Sequence, residues 1–186
     1  MGVLIREPVA SDAARLGRAH AAAWQAAYTG IMPEAVLVNV TAQRRTRMWE
    51  RVIATAREEG EHIAVAEVDG EPVGFAWTSA CRDEGSPPEL GELQAINLDP
   101  AHWGTGVGSA LLEAAHDALA RAGFSAAILW VLPGNARARR FYAARGWRCD
   151  GVERDFSLPG AEEIAELRYS RPIETATTDT PAAPAA

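Results

Sequence analysis

Hydrophobic positions recur along this chain with two different periods, and the switches between them lay out the elements. Residues 3–6 (VLIR) read as a short strand ended by Pro8. Leu16, Ala19, Ala23 and Ala27 then fall at three- and four-residue steps, which predicts an amphipathic helix with Ser11 as its N-cap and Gly30 and Pro33 beyond its end. The run IMPEAVLVNV fits a short helix or turn. Thr41 caps a second predicted helix over 42–59, with Met48, Val52 and Ile53 inward and Gly60 closing it. Residues 62–68 alternate as a strand, Asp69-Gly70 is a hairpin signal, and 73–79 return as the partner strand. After an exposed loop holding Gly85, Pro87 and Pro88, residues 91–98 form the central strand. A long helix follows over 105–122, its buried stripe marked by Leu111, Leu112, Ala115 and Leu119, with Gly123 at its end. Residues 126–132 are apolar throughout, the pattern of a strand buried on both faces. Asn135 caps a short helix reaching about Arg145. Segments 147–156 and 164–170 make a last hairpin about Pro159-Gly160. The pattern predicts one mixed α/β domain over 1–173 and a disordered Thr/Ala/Pro tail over 174–186.

Three glycines mark the junction between the central strand and the long helix: Gly104, Gly106 and Gly108, in DPAHWGTGVGSALL. The first amides of a helix have no internal partner and sit at the positive end of its dipole, so such a junction suits an anion, most often a phosphate. A triphosphate-binding loop is excluded, because it needs a lysine and all 18 basic residues here are arginine. The dinucleotide fingerprint is excluded by the Gly-x-Gly-x-Gly spacing and by the loop's place past mid-chain. A plain strand-to-helix turn would use the same glycines.

A second segment, NARARRFYAARGW over 135–147, turns these fragments into a pattern. With LDPAHWGTGVGSALL it resembles the GCN5-related N-acetyltransferase (GNAT) superfamily. The superfamily's pyrophosphate motif, Arg/Gln-x-x-Gly-x-Gly/Ala, is matched at Gly106 and Gly108, and its apolar-acidic-Pro strand end at Leu98-Asp99-Pro100. Trp103 departs from it, standing where Arg or Gln is usual. Downstream, Asn135, Ala138, Tyr142 and Gly146 match, with Trp147 in place of Phe. The resemblance is sharp over 91–151 and diffuse over 1–90. It implies a mostly antiparallel sheet of six to seven strands flanked by about four helices, with strands four and five splayed to admit the thioester arm of acetyl-CoA.

Composition narrows the partners. A net charge of -7 and a pI near 5.1 argue against a nucleic-acid binder. Two cysteines, Cys81 and Cys149, form no disulfide framework or zinc pattern, and the four histidines have no ligand spacing, so no metal is implied. No apolar run reaches the ~18 residues of a membrane span, and no secretory leader is indicated, so a cytoplasmic protein is expected.

The resemblance implies an acetyl-CoA-dependent N-acetyltransferase in which an amine attacks the thioester directly in a ternary complex. Backbone amides of Trp103, Gly104, Thr105, Gly106, Val107, Gly108 and Ser109 would hold the pyrophosphate. The edges of Ile96 and Leu98 would pair with the pantetheine arm, and Asn135 would add a contact to its role as a cap. Tyr142 corresponds to the superfamily's tyrosine acid for the departing thiolate, and Glu92 is the candidate base for the amine. Trp24, Tyr28 and Trp77 are candidates to line the acceptor pocket. The acceptor is an unspecified small-molecule or peptide amine, and a homodimer is compatible with the superfamily. The alternative is a non-catalytic acyl-CoA-binding or regulatory domain.

Overall fold

In the computed structural model, which describes residues 2–174 (the backbone alone at Glu162), seven strands form one sheet in the order β1-β2-β3-β4-β5-β7-β6. The strands are β1 (Val3–Arg6), β2 (His62–Val68), β3 (Glu71–Ala80), β4 (Leu90–Leu98), β5 (Ala126–Val131), β6 (Arg148–Leu158) and β7 (Ala161–Pro172). Every neighbouring pair is antiparallel except β4 and β5. Five α-helices accompany them: α1 (Ala13–Tyr28), α2 (Glu34–Leu37), α3 (Ala42–Thr55), α4 (Val107–Arg121) and α5 (Ala136–Ala143). Apart from Glu174, the predicted tail lies outside the described residues.

The alternation of β2 shows how the layers form. Ala64, Ala66 and Val68 join one core cluster with Leu111, Leu112, Ala115 and Leu119 of α4, while Ile63 and Val65 join another with Leu16 of α1 and Trp49 and Val52 of α3. Successive strand residues point to opposite faces, so these clusters lie on opposite sides of the sheet. Tyr142 of α5 belongs to the α4 layer. A third cluster joins α2 to the β6–β7 hairpin through Met32, Val36 and Leu37, with Phe156, Leu158 and Ile164 packed against them.

The strand pairing creates an opening. β4 and β5 pair only at Leu90↔Ala126, Gly91↔Ala127 and Glu92↔Ile128. Beyond Glu92, the β4 backbone groups that point towards β5 have no strand partner. β4 also bulges: Ala95 faces Trp77 and Leu93 faces Thr78, which leaves Gln94 as the extra residue.

The structure differs from the predicted elements at the helix ends. Ser11 is no cap, because a 3-10 turn over Ala10–Asp12 precedes α1. Asp12 instead accepts from the Val9 amide at 2.8 Å and pairs with Arg6 at 2.7 Å. The α3 helix stops at Thr55 rather than 59, and α4 starts at Val107 rather than 105, because Gly106 is left-handed. Trp49, which has no exposed surface, is the main core residue of α3 that the periodicity did not single out.

Candidate active site

A cavity of about 590 Å³ occupies the gap between β4 and β5. Residues from both layers line it: Ala23, Ala27 and Tyr28 from α1, and Gly104, Gly106, Gly108 and Tyr142 from the α4–α5 side. The cavity therefore joins the two faces of the sheet at the place where the strands part.

Its phosphate-sized end is built from backbone. Gly104 and Gly106 have φ of 78° and 93°, a region that L side chains rarely adopt. A Cβ on either would meet nothing within 4 Å, so conformation rather than crowding requires glycine there. Among the described residues, the amides of Gly104, Thr105, Gly106, Val107 and Gly108 donate to no backbone carbonyl, whereas Ser109 and Ala110 already bond back to Gly106. Five consecutive free donors at a helix N-terminus fit a diphosphate. Trp103 serves this loop in its own way: its indole N–H donates to the Leu98 carbonyl at 2.8 Å, and the Arg137 guanidinium lies 3.9 Å from its ring centroid. Arg140 and Arg145 also line the cavity, and Arg145 donates to the Ser109 hydroxyl and to the Phe141 carbonyl.

The predicted cradle residues separate into three groups. Ile96, Leu98, Trp103, Gly104, Gly106, Gly108, Ser109 and Asn135 line the cavity, but the Trp103 amide donates to the Pro100 carbonyl at 3.1 Å and the Ser109 amide to the Gly106 carbonyl at 2.9 Å, so neither of these two predicted cradle amides is free. Val107 turns its side chain into the core, so only its amide faces the loop. Thr105 is exposed and donates its hydroxyl to the His102 carbonyl at 2.7 Å. Asn135 caps α5, accepting from the Ala138 amide at 3.1 Å.

Tyr142 lines the same cavity, 8% exposed, and its hydroxyl has no hydrogen-bond partner among the described residues. Burial pushes its phenol up, with the neighbouring Tyr28 adding to the effect. Tyr28 is likewise pushed up by burial and further by Glu166, while Asn135 works in the opposite direction.

Glu92 lies outside the cavity lining, 5% exposed, at the last residue pair before β4 and β5 part. It accepts from the Arg82 amide at 3.1 Å, and burial raises its carboxyl. Sequence reasoning missed its neighbour Glu166 on β7. Burial raises that carboxyl too, and the charges of Glu92 and Asp83 add, while Arg154 opposes at 2.9 Å. Arg154 also pairs with Asp83 at 2.8 Å and lies over the Trp130 ring at 4.1 Å. The Trp130 indole N–H is buried without a partner among the described residues. Trp24 and Trp77 do not line the cavity: Trp24 packs on Tyr28 at 4.9 Å, and Trp77 donates to Glu61 at 3.0 Å.

The geometry is that of a domain with one cavity between two parted strands, with free backbone amides of a glycine loop at one part of its wall and a buried tyrosine at another. Residues 22–147 match the model of the acetyltransferase (GNAT) family, and the chain belongs to that family. It is 36% identical over 96 residues to a mycothiol acetyltransferase of Kocuria rhizophila, covering 50% of this chain and 32% of the relative. The chain thus spans about a third of that relative's length. An uncharacterized N-acetyltransferase of Archaeoglobus fulgidus is 32% identical over 113 residues, covering 58% of this chain and 73% of the relative. Among solved structures, the PaiA N-acetyltransferase of Thermoplasma acidophilum in complex with coenzyme A superposes with a TM-score of 0.74 at 18% identity, covering 92% of this chain and 99% of that one. The ribosomal-protein-S18-alanine N-acetyltransferase of Escherichia coli gives 0.65 at 20% identity, covering 96% and 98%.

Proposed function

We propose that this chain is an acetyl-CoA-dependent N-acetyltransferase that acts on a primary amine of a small molecule or peptide. One observation carries the reading: a single cavity, open through the sheet, holds both the five-amide cradle and Tyr142. The amides of Gly104 to Gly108 hold the diphosphate, and Arg137 and Arg140 supply cations beside it. The partnerless edge of β4 pairs with an amide-rich arm, as a sheet edge pairs with a peptide. Acetyl-CoA, when bound, supplies an activated acyl carbon and a thiolate leaving group.

The chain's own groups then manage two protons. An ammonium must lose one before its nitrogen can bond to the acyl carbon. Glu92, at the last β4–β5 pair, and Glu166, whose carboxyl feels the Glu92 charge, are both raised by burial and lie outside the cavity lining, so either receives that proton through water. Tyr142 keeps its own proton at neutral pH, gives it to the sulfur as the C–S bond breaks, and regains one from the second proton that the acylated nitrogen sheds, directly or through water. Unpaired N–H groups of β4 beyond Glu92 are the donors available to charge developing on the carbonyl oxygen. The free cysteines, Cys81 and Cys149, support a reducing, cytoplasmic setting.

Thiol release from acetyl-CoA across an amine panel tests the reading. Saturable, amine-dependent release is expected. Tight CoA binding with no amine-dependent release would make the protein an acyl-CoA-binding domain instead. Comparing Glu92→Gln with Glu166→Gln identifies the base: the variant that abolishes the rising limb of the kcat/KM pH profile has lost it, and two unchanged limbs would remove both residues from the mechanism.

A further inference from the structure

The inward stripe of α3 contains a charge. Trp49 and Val52 are buried in the core beneath α1, and Arg45 stands four residues before Trp49 on the same helix face. Its guanidinium lies 4.8 Å from the Trp24 ring centroid, and one Nη donates only to the Met48 sulfur at 3.7 Å. The Nε is buried and has no partner among the described residues. No carboxylate pairs with this group there: burial alone accounts for the downward pull on its pKa. Its ionisable neighbour is His20, which is 6% exposed and which burial and Arg45 together hold neutral, with the ring pushed down to about 3. Of the other half-buried arginines described, Arg6, Arg154 and Arg168 pair with carboxylates, while Arg139, Arg145 and Arg171 donate to hydroxyl or carbonyl oxygens, so Arg45 is the one with no oxygen partner among the described residues.

An unpaired charge taken out of water destabilises a fold, and an apolar residue at this stripe position would avoid that cost. The location supplies a reason to keep it. Trp24 stacks on Arg45 from one side, and Trp24 in turn packs on Tyr28, which lines the cavity. Arg45 and Trp24 themselves lie outside the cavity lining, so the guanidinium stands one aromatic ring behind Tyr28 at the α1 wall of the cavity. The acidic pair Glu92 and Glu166 provides for an ammonium, and Arg45 is a cation with no anion. We propose that the Arg45 guanidinium receives a carboxylate carried by the acceptor, so that the substrate class is amines bearing a carboxylate. The identity of the amine rests on the acetyl-transfer reading above, whereas the anion site does not.

The test uses acetyl-CoA with three acceptor sets: free amino acids, their carboxamides, and short C-terminally amidated peptides with one acidic side chain. At least one carboxylate-bearing set should exceed its neutral counterpart in kcat/KM by about tenfold or more, the yield of one charge-assisted contact. In Arg45→Met that ratio should fall towards one, and Arg45→Lys should lie between, because an ammonium cannot form the two-pronged contact. The melting temperature of ligand-free Arg45→Met should be equal to or above that of the parent, which separates a binding role from a structural one. Equal use of charged and neutral acceptors, or a ratio untouched by Arg45→Met, overturns the proposal. If no amine is acetylated, the acetyl-transfer reading fails, and the anion site is decided by titrating the CoA-loaded protein with glutamate while following the Arg45 Nε–Hε resonance. A saturable shift supports the site, and its absence overturns it.

Discussion

Tyr142 is almost wholly buried, yet its hydroxyl faces a cavity instead of a protein partner. Removing that oxygen therefore leaves no buried donor stranded, and the ring's contacts with Phe141 and Trp147 are kept. Tyr142→Phe is expected to lower kcat about tenfold to a thousandfold at saturating acetyl-CoA, the range of a positioned acid, while the melting temperature changes little. An unchanged kcat, with chemistry shown to limit the rate, would dismiss the phenol from proton transfer. Tyr142 was readable in the sequence because Asn135 and Gly146 frame it at fixed spacing. Glu166 was not. On a hairpin strand its carboxylate looks like any solvent-facing charge, and its burial comes from Arg154 on the neighbouring strand and from the Trp130 side of the sheet. Arg45 was hidden for the opposite reason, since a charge within a helical stripe reads as an interruption of the apolar face.

Among elements, the glycine loop is the one whose backbone the sequence stated most plainly, and its glycines act in two ways, Gly104 and Gly106 through positive φ and Gly108 through the space it leaves. Gly106 is the α4 N-cap at φ 93° and ψ -18°, so an alanine there is strained even in open space. Gly106→Ala should lose about 1–3 kcal/mol of stability and weaken CoA binding together. Gly108 has an ordinary helical conformation, and its added Cβ would sit 3.5 Å from the Phe141 ring, a normal contact. Gly108→Ala should not weaken the fold but should raise the Kd for CoA, because the methyl makes only ordinary contacts with Phe141 and Leu98 and would crowd a ligand approaching the backbone. Denaturant unfolding and calorimetric titration of the two variants separate these effects. Equal CoA affinity in Gly108→Ala and the parent would show that no ligand comes close to that amide. The gap that this loop serves could not be read from periodicity: residues 93–98 and 129–131 have the same apolar pattern whether paired or parted, and the superfamily resemblance alone supplied the splay. The start of α1 escaped for a similar reason, since Asp12 is drawn away from capping by Arg6, a contact made only by the tertiary fold.

At the scale of the molecule, each helical layer holds a histidine whose pKa burial pushes down. The α1–α3 layer encloses His20 among Trp24, Trp49 and Phe75, with an Nδ1 that has no partner among the described residues. Burial first, and then Arg45, push its pKa from 6.5 to about 3. A depressed folded-state value means that the unfolded chain takes up the proton first. Stability contributed by neutral His20 is therefore complete above pH 6.5 and is lost as pH falls towards 3, at about 1.4 kcal/mol per pH unit. In the α4 layer, His116 follows the same sign, pushed down to about 4 by burial and then Arg171, in a more exposed setting where solvent weakens its contribution. The raised carboxylates Glu92 and Glu166 act in the other direction, because protonation relieves their burial. A bare acid-unfolding curve thus mixes opposing terms, and a variant is needed to isolate one. His20→Phe keeps an aromatic ring against Trp49 and Phe75 and removes the titration. Its unfolding free energy between pH 6.5 and 4.5 should fall less steeply than the parent's by about 1.4 kcal/mol per unit. Parallel curves would mean that His20 is not held neutral by this core, and acid sensitivity would then have to arise from His116 or from the ion pairs of Arg6 and Arg154.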